Sequence, residues 1–185
     1  CAMNDFSQFN DRYQSDLEGC AFETLAVRAG QVRSAECEHS EAIFPTSSYV
    51  FNSAAEAAAR FGGESAGNVY SRYTNPTVRT FEDRLAALEG GEACAATSSG
   101  MAAIYAVAIA HLKAGDHVLC SASVFGSTIM LFEKFLRKFN VSIDYVDLLD
   151  LNDWKNKTRE NTRLFFLESP SNPLNDVADL EGIAA

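Results

Sequence analysis

From residue 93 onward, short apolar runs alternate with helical stretches, and this alternation limits the possible folds more than any other feature. Ala93–Ala96, His117–Ser121, Val141–Val146 and Arg163–Glu168 read as strands. Met101–Lys113, mostly apolar and expected to be buried, Ser127–Phe139 and Leu151–Lys157 read as the helices between them, and Asp179–Ala185 opens another. Strands separated by helices pair as βαβ units. The chain is therefore expected to be α/β, with a mostly parallel sheet flanked by helices. It stops at Gly182-Ile183-Ala184-Ala185, inside the last helical run, and it begins Cys1-Ala2-Met3. Both ends read as those of a piece of a longer protein, with the sheet incomplete towards the C-terminus.

Local chemistry places the elements before that alternation. Residues 1 to about 20 are polar and aperiodic and read as an arm. Phe22, Leu25, Ala26 and Ala29 predict a short helix ending before Gly30. Ser53 is a good N-cap for the alanine-rich run to Arg60, which Phe61-Gly62-Gly63 closes. Asn75 caps the next helix, Pro76 fits its first position, and Gly90 ends it. Val78, Phe81, Leu85 and Leu88 share one face there. On the later helix Ser127–Phe139 the apolar stripe is Phe132, Phe135, Leu136 and Phe139.

Composition excludes several classes of function. A formal net charge of −10 argues against nucleic acid as a partner and gives no support to docking on anionic lipid. No apolar run approaches the roughly 20 residues that span a bilayer. Asp5, Asp11 and Asp16 leave no signal-peptide core, so the expected location is cytoplasmic. Five cysteines (Cys1, Cys20, Cys37, Cys94 and Cys120), with no Cys-x-x-Cys, suit reduced thiols. Cys94 and Cys120 fall in strands and read as small buried hydrophobes. The three histidines (His39, His111 and His117) lack metal-ligand spacing and read as solvated or helix-end residues, so no metal site is expected.

Ligands of open α/β sheets bind beyond the carboxyl ends of the strands. Three polar loops follow strands here. The first, Thr97-Ser98-Ser99-Gly100, leads into a helix whose first free N–H groups carry partial positive charge and suit a phosphate or carboxylate. The second, Ser121 to Gly126, presents Phe125. The third, Glu168-Ser169-Pro170-Ser171-Asn172-Pro173, presents the amide of Asn172. An anion cradle, an aromatic plate and an amide together suit a flat, phosphorylated heterocycle. No Gly-x-Gly-x-x-Gly and no P-loop occurs, which disfavours a dinucleotide or nucleoside triphosphate.

Three separated motifs stand in order: Tyr70-Ser71-Arg72-Tyr73-Thr74-Asn75-Pro76-Thr77, then Thr97 to Met101, then Glu168 to Pro173. On these, the chain from about Phe22 to Ala185 closely resembles the pyridoxal-phosphate enzymes of cysteine and methionine metabolism. Phe44 to Phe51, Ala59-Arg60-Phe61 and Ser123-Val124-Phe125-Gly126-Ser127-Thr128 look most like the branch of sulfhydrylases that act on O-succinylhomoserine. The resemblance implies a fold-type-I pyridoxal-5′-phosphate-dependent transferase. Gly100 and Met101 would bind the cofactor phosphate through their amides, and Asn172 the phenolic oxygen of the ring. Phe125 would stack on the ring, where many relatives carry a tyrosine proposed to transfer a proton. Tyr70 and Arg72 would reach the phosphate in a neighbouring subunit, within a homodimer that builds a homotetramer.

The implied reaction is γ-replacement of the succinyl group of O-succinylhomoserine by sulfide, giving homocysteine for methionine biosynthesis. Cystathionine γ-synthase and γ-lyase chemistry are the alternatives within the family. The lysines are Lys113, Lys134, Lys138, Lys155 and Lys157, and none sits in the Ser/Thr-rich setting of the family's Schiff-base lysine. The resemblance therefore covers about half of a family member, and this half by itself is expected to be inactive, with no catalytic residue of its own. A non-catalytic truncated protein that keeps the phosphate site is the reading from another class. Residues 1–62 would form an arm and a segment contacting the neighbouring subunit, and residues 63–185 the first part of the cofactor-binding domain. Glu168, at the end of an apolar strand, is either a structural hydrogen-bonder or part of the site.

Overall fold

A computed structural model describes residues 17, 19–34, 36 and 38–185. The arm expected over residues 1 to about 20 lies almost wholly outside these, as do Cys1 and Cys37. The chain divides into two compact units between Ala96 and Thr97.

The N-terminal unit holds helices α1 (Phe22–Arg28), α2 (Ala54–Phe61) and α3 (Pro76–Glu89). Their ends follow from local chemistry. Ser53 Oγ accepts from the Glu56 amide at 3.1 Å. Asn75 Oδ1 accepts from Thr77 and Val78 at 2.9 and 3.4 Å, and Pro76 has no amide to leave unpaired. Gly90 closes α3 in the left-handed region, at φ 66°. Gly30 is required for a different reason: φ is 74°, and a Cβ there would sit 2.5 Å from the Thr80 carbonyl oxygen of α3. Arg84 of α3 donates to the Ala29 carbonyl at 2.9 Å and pairs with Glu41. No residue within the three helices is buried.

The C-terminal unit runs α4 (Gly100–His111), β1 (His117–Ser121), α5 (Gly126–Lys134), a 3₁₀ turn (Leu136–Phe139), β2 (Ser142–Val146), α6 (Leu151–Lys157), β3 (Thr162–Phe166) and α7 (Leu180–Ala184). The strands form one parallel sheet in the order β2-β1-β3. β1 is central, and all five of its residues are buried. Its side chains alternate between faces, as strand geometry requires. Val118 and Cys120 join Ala108, Val124, Phe132, Leu136, Val141 and Ile143 on one side. Leu119 joins Val146, Leu148, Trp154, Ala178 and Ile183 on the other. Both faces are covered, the condition under which parallel sheets are stable.

Five sequence expectations are corrected. Ala93–Ala96 does not form a strand; the segment is mostly exposed and the Ala96 amide donates to Glu82 Oε1 at 2.7 Å rather than to a ladder. Ser127–Phe139 is not one helix. It breaks at Phe135 and tightens into the 3₁₀ turn, which Asn140 closes at φ 59°. The changed pitch sends Leu136 into the core and leaves Phe135 and Phe139 half exposed. The apolar α4 buries only Ala108 fully. Finally, His117 is neither solvated nor at a helix end. It opens the central strand, fully buried, with Nδ1 2.8 Å from Thr162 Oγ1 and Nε2 3.5 Å from Asp144. Cys120 is buried in β1 as expected, whereas Cys94 is half-buried outside any strand.

Candidate cofactor site

β1 and β3 are adjacent and parallel, so the loops after them leave one edge of the sheet. α4 returns to the start of β1 through residues 112–116, which directs its N-terminus towards that same edge. The three polar loops read from the sequence thus belong to one end of the C-terminal unit.

Ser99 caps α4. Its backbone is extended, its Oγ accepts from Ala102 at 3.2 Å, and its carbonyl accepts from Ala103 at 3.0 Å. Thr97 Oγ1 donates to that same carbonyl at 2.9 Å, stiffening the turn. The amides of Gly100 and Met101 lie between these bonds and have no acceptor among the described residues. A Cβ on Gly100 would meet no atom within 4 Å, so the approach is open. Two unpaired amides at the start of a 12-residue helix carry the partial charge that an anion needs. This donor set fits a phosphate.

Phe125 is the N-cap of α5, with its ring half exposed. Its neighbours Val124 and Thr128 are buried, so the ring is kept out while the backbone beside it is packed. The Phe125 amide donates to Glu168 Oε1 at 3.0 Å, which joins the loop after β1 to the loop after β3. Burial pushes the Cys120 thiol up to about 12, and the negative charge of Glu168 adds to that effect.

Asn172 is exposed, and its side-chain amide has no hydrogen-bond partner among the described residues. The turn that carries it is fixed from within. Ser171 donates its amide to Asp176 O at 2.9 Å, and Ser171 Oγ accepts from the Asp176 amide at 3.0 Å. Ser169 Oγ accepts from Ala178 at 3.0 Å. Sequence reasoning passed over Ser171 and Asp176; the signal was a serine and an aspartate flanking Asn-Pro, a side-chain-to-backbone turn pattern.

Tyr70 and Arg72 belong to the N-terminal unit, in a loop built by cross-bonding of extended segments. Tyr70 bridges Ser48, the Ser71 amide donates to Ser47 O at 2.9 Å, and Ser71 Oγ donates to Thr46 O. Asn75 Nδ2 donates to Phe44 O at 3.0 Å and to Ser71 Oγ at 3.1 Å. Tyr49 Oη donates to Thr74 O at 3.4 Å, so Tyr49 supports the loop. The Arg72 guanidinium lies 5.2 Å from the Tyr70 ring centroid and 5.1 Å from that of Tyr73. It is exposed, and none of the ion pairs among the described residues involves it. A surface cavity of about 230 Å³ in the same unit is lined by Arg33, Glu41, Phe44 and Arg79 among others and contains none of the expected site residues.

The family described as "Cys/Met metabolism PLP-dependent enzyme" matches residues 23–185. An O-succinylhomoserine sulfhydrylase of Pseudomonas aeruginosa is 61% identical over 94% of this chain and 43% of its own length. An L-methionine gamma-lyase of Fusobacterium nucleatum is 40% identical over 87% of this chain and 41% of its own length. Among solved structures, metB from Corynebacterium glutamicum aligns with a TM-score of 0.81 at 29% identity, covering 90% of this chain and 42% of that one. A putative O-acetylhomoserine (thiol)-lyase from Campylobacter jejuni, carrying N′-pyridoxyl-lysine-5′-monophosphate, aligns at 0.80 with 35% identity over 88% of this chain and 40% of its own. The chain spans less than half the length of the curated relatives it matches.

Proposed function

Because the chain belongs to the Cys/Met-metabolism pyridoxal-phosphate-dependent enzyme family over residues 23–185, we propose that it forms the phosphate-binding part of an O-succinylhomoserine sulfhydrylase. The whole enzyme would exchange the succinyl group of O-succinylhomoserine for sulfide, giving homocysteine. The observation that carries the choice of reaction is the 61% identity to a sulfhydrylase of that name across 94% of the chain.

Pyridoxal phosphate, when bound, supplies a sink for electrons released at the substrate Cα. The residues of this chain hold and orient it. The Gly100 and Met101 amides donate to the phosphate, where the α4 N-terminus favours negative charge. The Asn172 amide donates to the phenolic oxygen. Phe125 covers one ring face and, lacking a hydroxyl, moves no proton. Tyr70 and Arg72 reach the phosphate of a second copy, within a homodimer that builds a homotetramer, and residues 1–62 contact that neighbour. The lysine that holds the cofactor comes from outside residues 1–185, and residues 1–185 alone do not turn over substrate. Among the described residues no helix is long and apolar enough to cross a membrane; we place the enzyme in the cytoplasm.

The test is a chimera of residues 1–185 with the C-terminal remainder of the 61%-identical Pseudomonas relative. Homocysteine formed from O-succinylhomoserine and sulfide should exceed cystathionine formed from the same ester and cysteine. The 40% identity to a methionine gamma-lyase supports a second reading. Methanethiol release from methionine as the fastest reaction would replace the first reading with this one.

A further inference from the structure

The ring of Phe125 is half exposed, although Val124 before it is 5% exposed and Thr128 after it is fully buried. A large aromatic at a loop tip would ordinarily fold back onto nearby apolar surface. Locally the Phe125 carbonyl accepts the Thr128 amide at 2.8 Å, as the first bond of α5, and the side chain makes no capping hydrogen bond. The second restraint on its backbone comes from 43 residues away, where the Glu168 carboxylate accepts the Phe125 amide at 3.0 Å.

The structure assigns Glu168 as a positioning residue: its carboxylate anchors the Phe125 backbone at the sheet edge and so fixes the aromatic plate against which the cofactor ring packs. Glu168 acts through Phe125 and is not itself catalytic. The assignment rests on the cofactor reading for the role of the plate, but the anchor can be measured without any ligand. The local chemistry suits the task. A carboxylate accepting a backbone amide makes a charge-assisted bond, stronger than a neutral one. At the N-terminus of the nine-residue α5 it also meets the favourable end of the helix dipole. β1 and β3 are hydrogen-bonded neighbours, and Glu168 stands two residues beyond the end of β3, so the carboxylate is held close to a rigid element. Glutamine at 168 keeps an acceptor oxygen of the same reach, whereas leucine keeps only the volume.

The test uses this chain with E168L, E168Q, F125A and E168L/F125A. Amide hydrogen exchange at Phe125 should quicken about tenfold in E168L, the scale expected for losing one charged hydrogen bond, and by less than about threefold in E168Q. Exchange at Leu119 and Cys120, inside β1, should stay unchanged and so report an intact sheet. Pyridoxamine 5′-phosphate, which needs no lysine to bind, is then titrated by equilibrium dialysis. Affinity should fall about fivefold in E168L, the scale of one aromatic contact. E168L should add nothing further in the F125A background, because the two changes remove one interaction. Equal Phe125 exchange in the unaltered chain, E168L and E168Q, or additive affinity losses in the double variant, would overturn the assignment. If the unaltered chain binds no pyridoxamine phosphate while the exchange difference persists, the cofactor reading falls and the anchor stands.

Discussion

The two units of this chain are built by different means. In the C-terminal unit, apolar side chains on both faces of a central strand do the work, in two clusters around Val118 and Leu119. In the N-terminal unit no helix buries a residue, and the order comes from hydrogen bonds and ion pairs between extended segments and α3. The first arrangement gives a rigid edge on which Phe125 and Asn172 can be held. The second holds Tyr70 and Arg72 on a loop, in a unit whose Val50, Phe61 and Phe81 are still exposed. Hydrophobic burial scales with area removed from water, so the two units should respond very differently to the same kind of mutation.

The largest contrast is expected between two phenylalanines. Phe132 is fully buried and meets Phe166 edge-on, with ring centroids 5.3 Å apart. Phe132→Ala should cost ~3–5 kcal/mol in urea denaturation. Phe81 on α3 is 56% exposed, and Phe81→Ala should cost less than about 1 kcal/mol in the isolated chain. Equal costs would show that the N-terminal unit has a core of its own and would break the comparison. Asn75→Ala comes next. Asn75 caps α3 and also ties Phe44 and Ser71, so its loss should cost ~1–2 kcal/mol. The readout is faster amide exchange at Thr77 and Val78, with β1 unaffected.

Acid separates the units by pH window. Burial and then the charge of Arg159 lower the His117 pKa from its ordinary 6.5, while Asp144 opposes them. The unfolded chain therefore binds the proton more readily. The contribution of neutral His117 is complete above about pH 6.5 and is lost as pH falls below it, with a slope of at most about 1.4 kcal/mol per pH unit. In the N-terminal unit the hydrogen bond from Arg84 lowers the pKa of Glu41 below its ordinary 4.5, so its stabilisation is lost only as pH falls beneath that value. Melting followed between pH 7 and 5 should thus weaken the C-terminal unit first, and His117→Asn should flatten the dependence. A weakening that persists in that variant would remove His117 as its source.

What the sequence made legible follows the same division of physical causes. Asn75, Pro76, Gly90 and Ser53 mark helix ends through bonds to residues no more than a turn away, and the structure has all of them in place. The parallel sheet was legible because alternation of strand and helix permits little else. The misses share a dependence on distant partners. Ala93–Ala96 has strand-like composition, but a strand exists only with a neighbour to pair with. α4 is apolar along its whole length, which states that it should be covered without stating by what. His117 looked polar and solvated, yet its place was set by Thr162, 45 residues on. At the site, Phe125 and Asn172 were readable on one edge because loops after parallel strands share it, whereas Gly100 and Met101 were reached through a strand, Ala93–Ala96, that does not form, and it is the return of α4 to β1 that points them to the same end. The Glu168 bond to Phe125 was not readable, since nothing local distinguishes a carboxylate that reaches an amide 43 residues away from one that faces water.

The smallest effect on folding should come from Arg72, and it tests the comparison most directly. Arg72 is exposed, has no carboxylate partner among the ion pairs of the described residues, lies over the rings of Tyr70 and Tyr73, and donates a long 3.5 Å hydrogen bond to the Tyr73 hydroxyl. Such a contact at the surface contributes ~0.5–1 kcal/mol at most, so Arg72→Ala should barely move the denaturation midpoint of residues 1–185. If the loop exists to present a cation to a phosphate, the same change should be costly once the chimeric enzyme is assembled. A lost guanidinium–phosphate interaction of ~1.5–3 kcal/mol corresponds to a roughly tenfold or greater loss of cofactor affinity. Arg72→Lys should recover part of that affinity, because an ammonium restores the charge but not the planar pair of donors. A variant that weakens folding and leaves cofactor affinity untouched would mean that Arg72 serves its own loop. The N-terminal unit would then differ from the C-terminal one in construction but not in purpose.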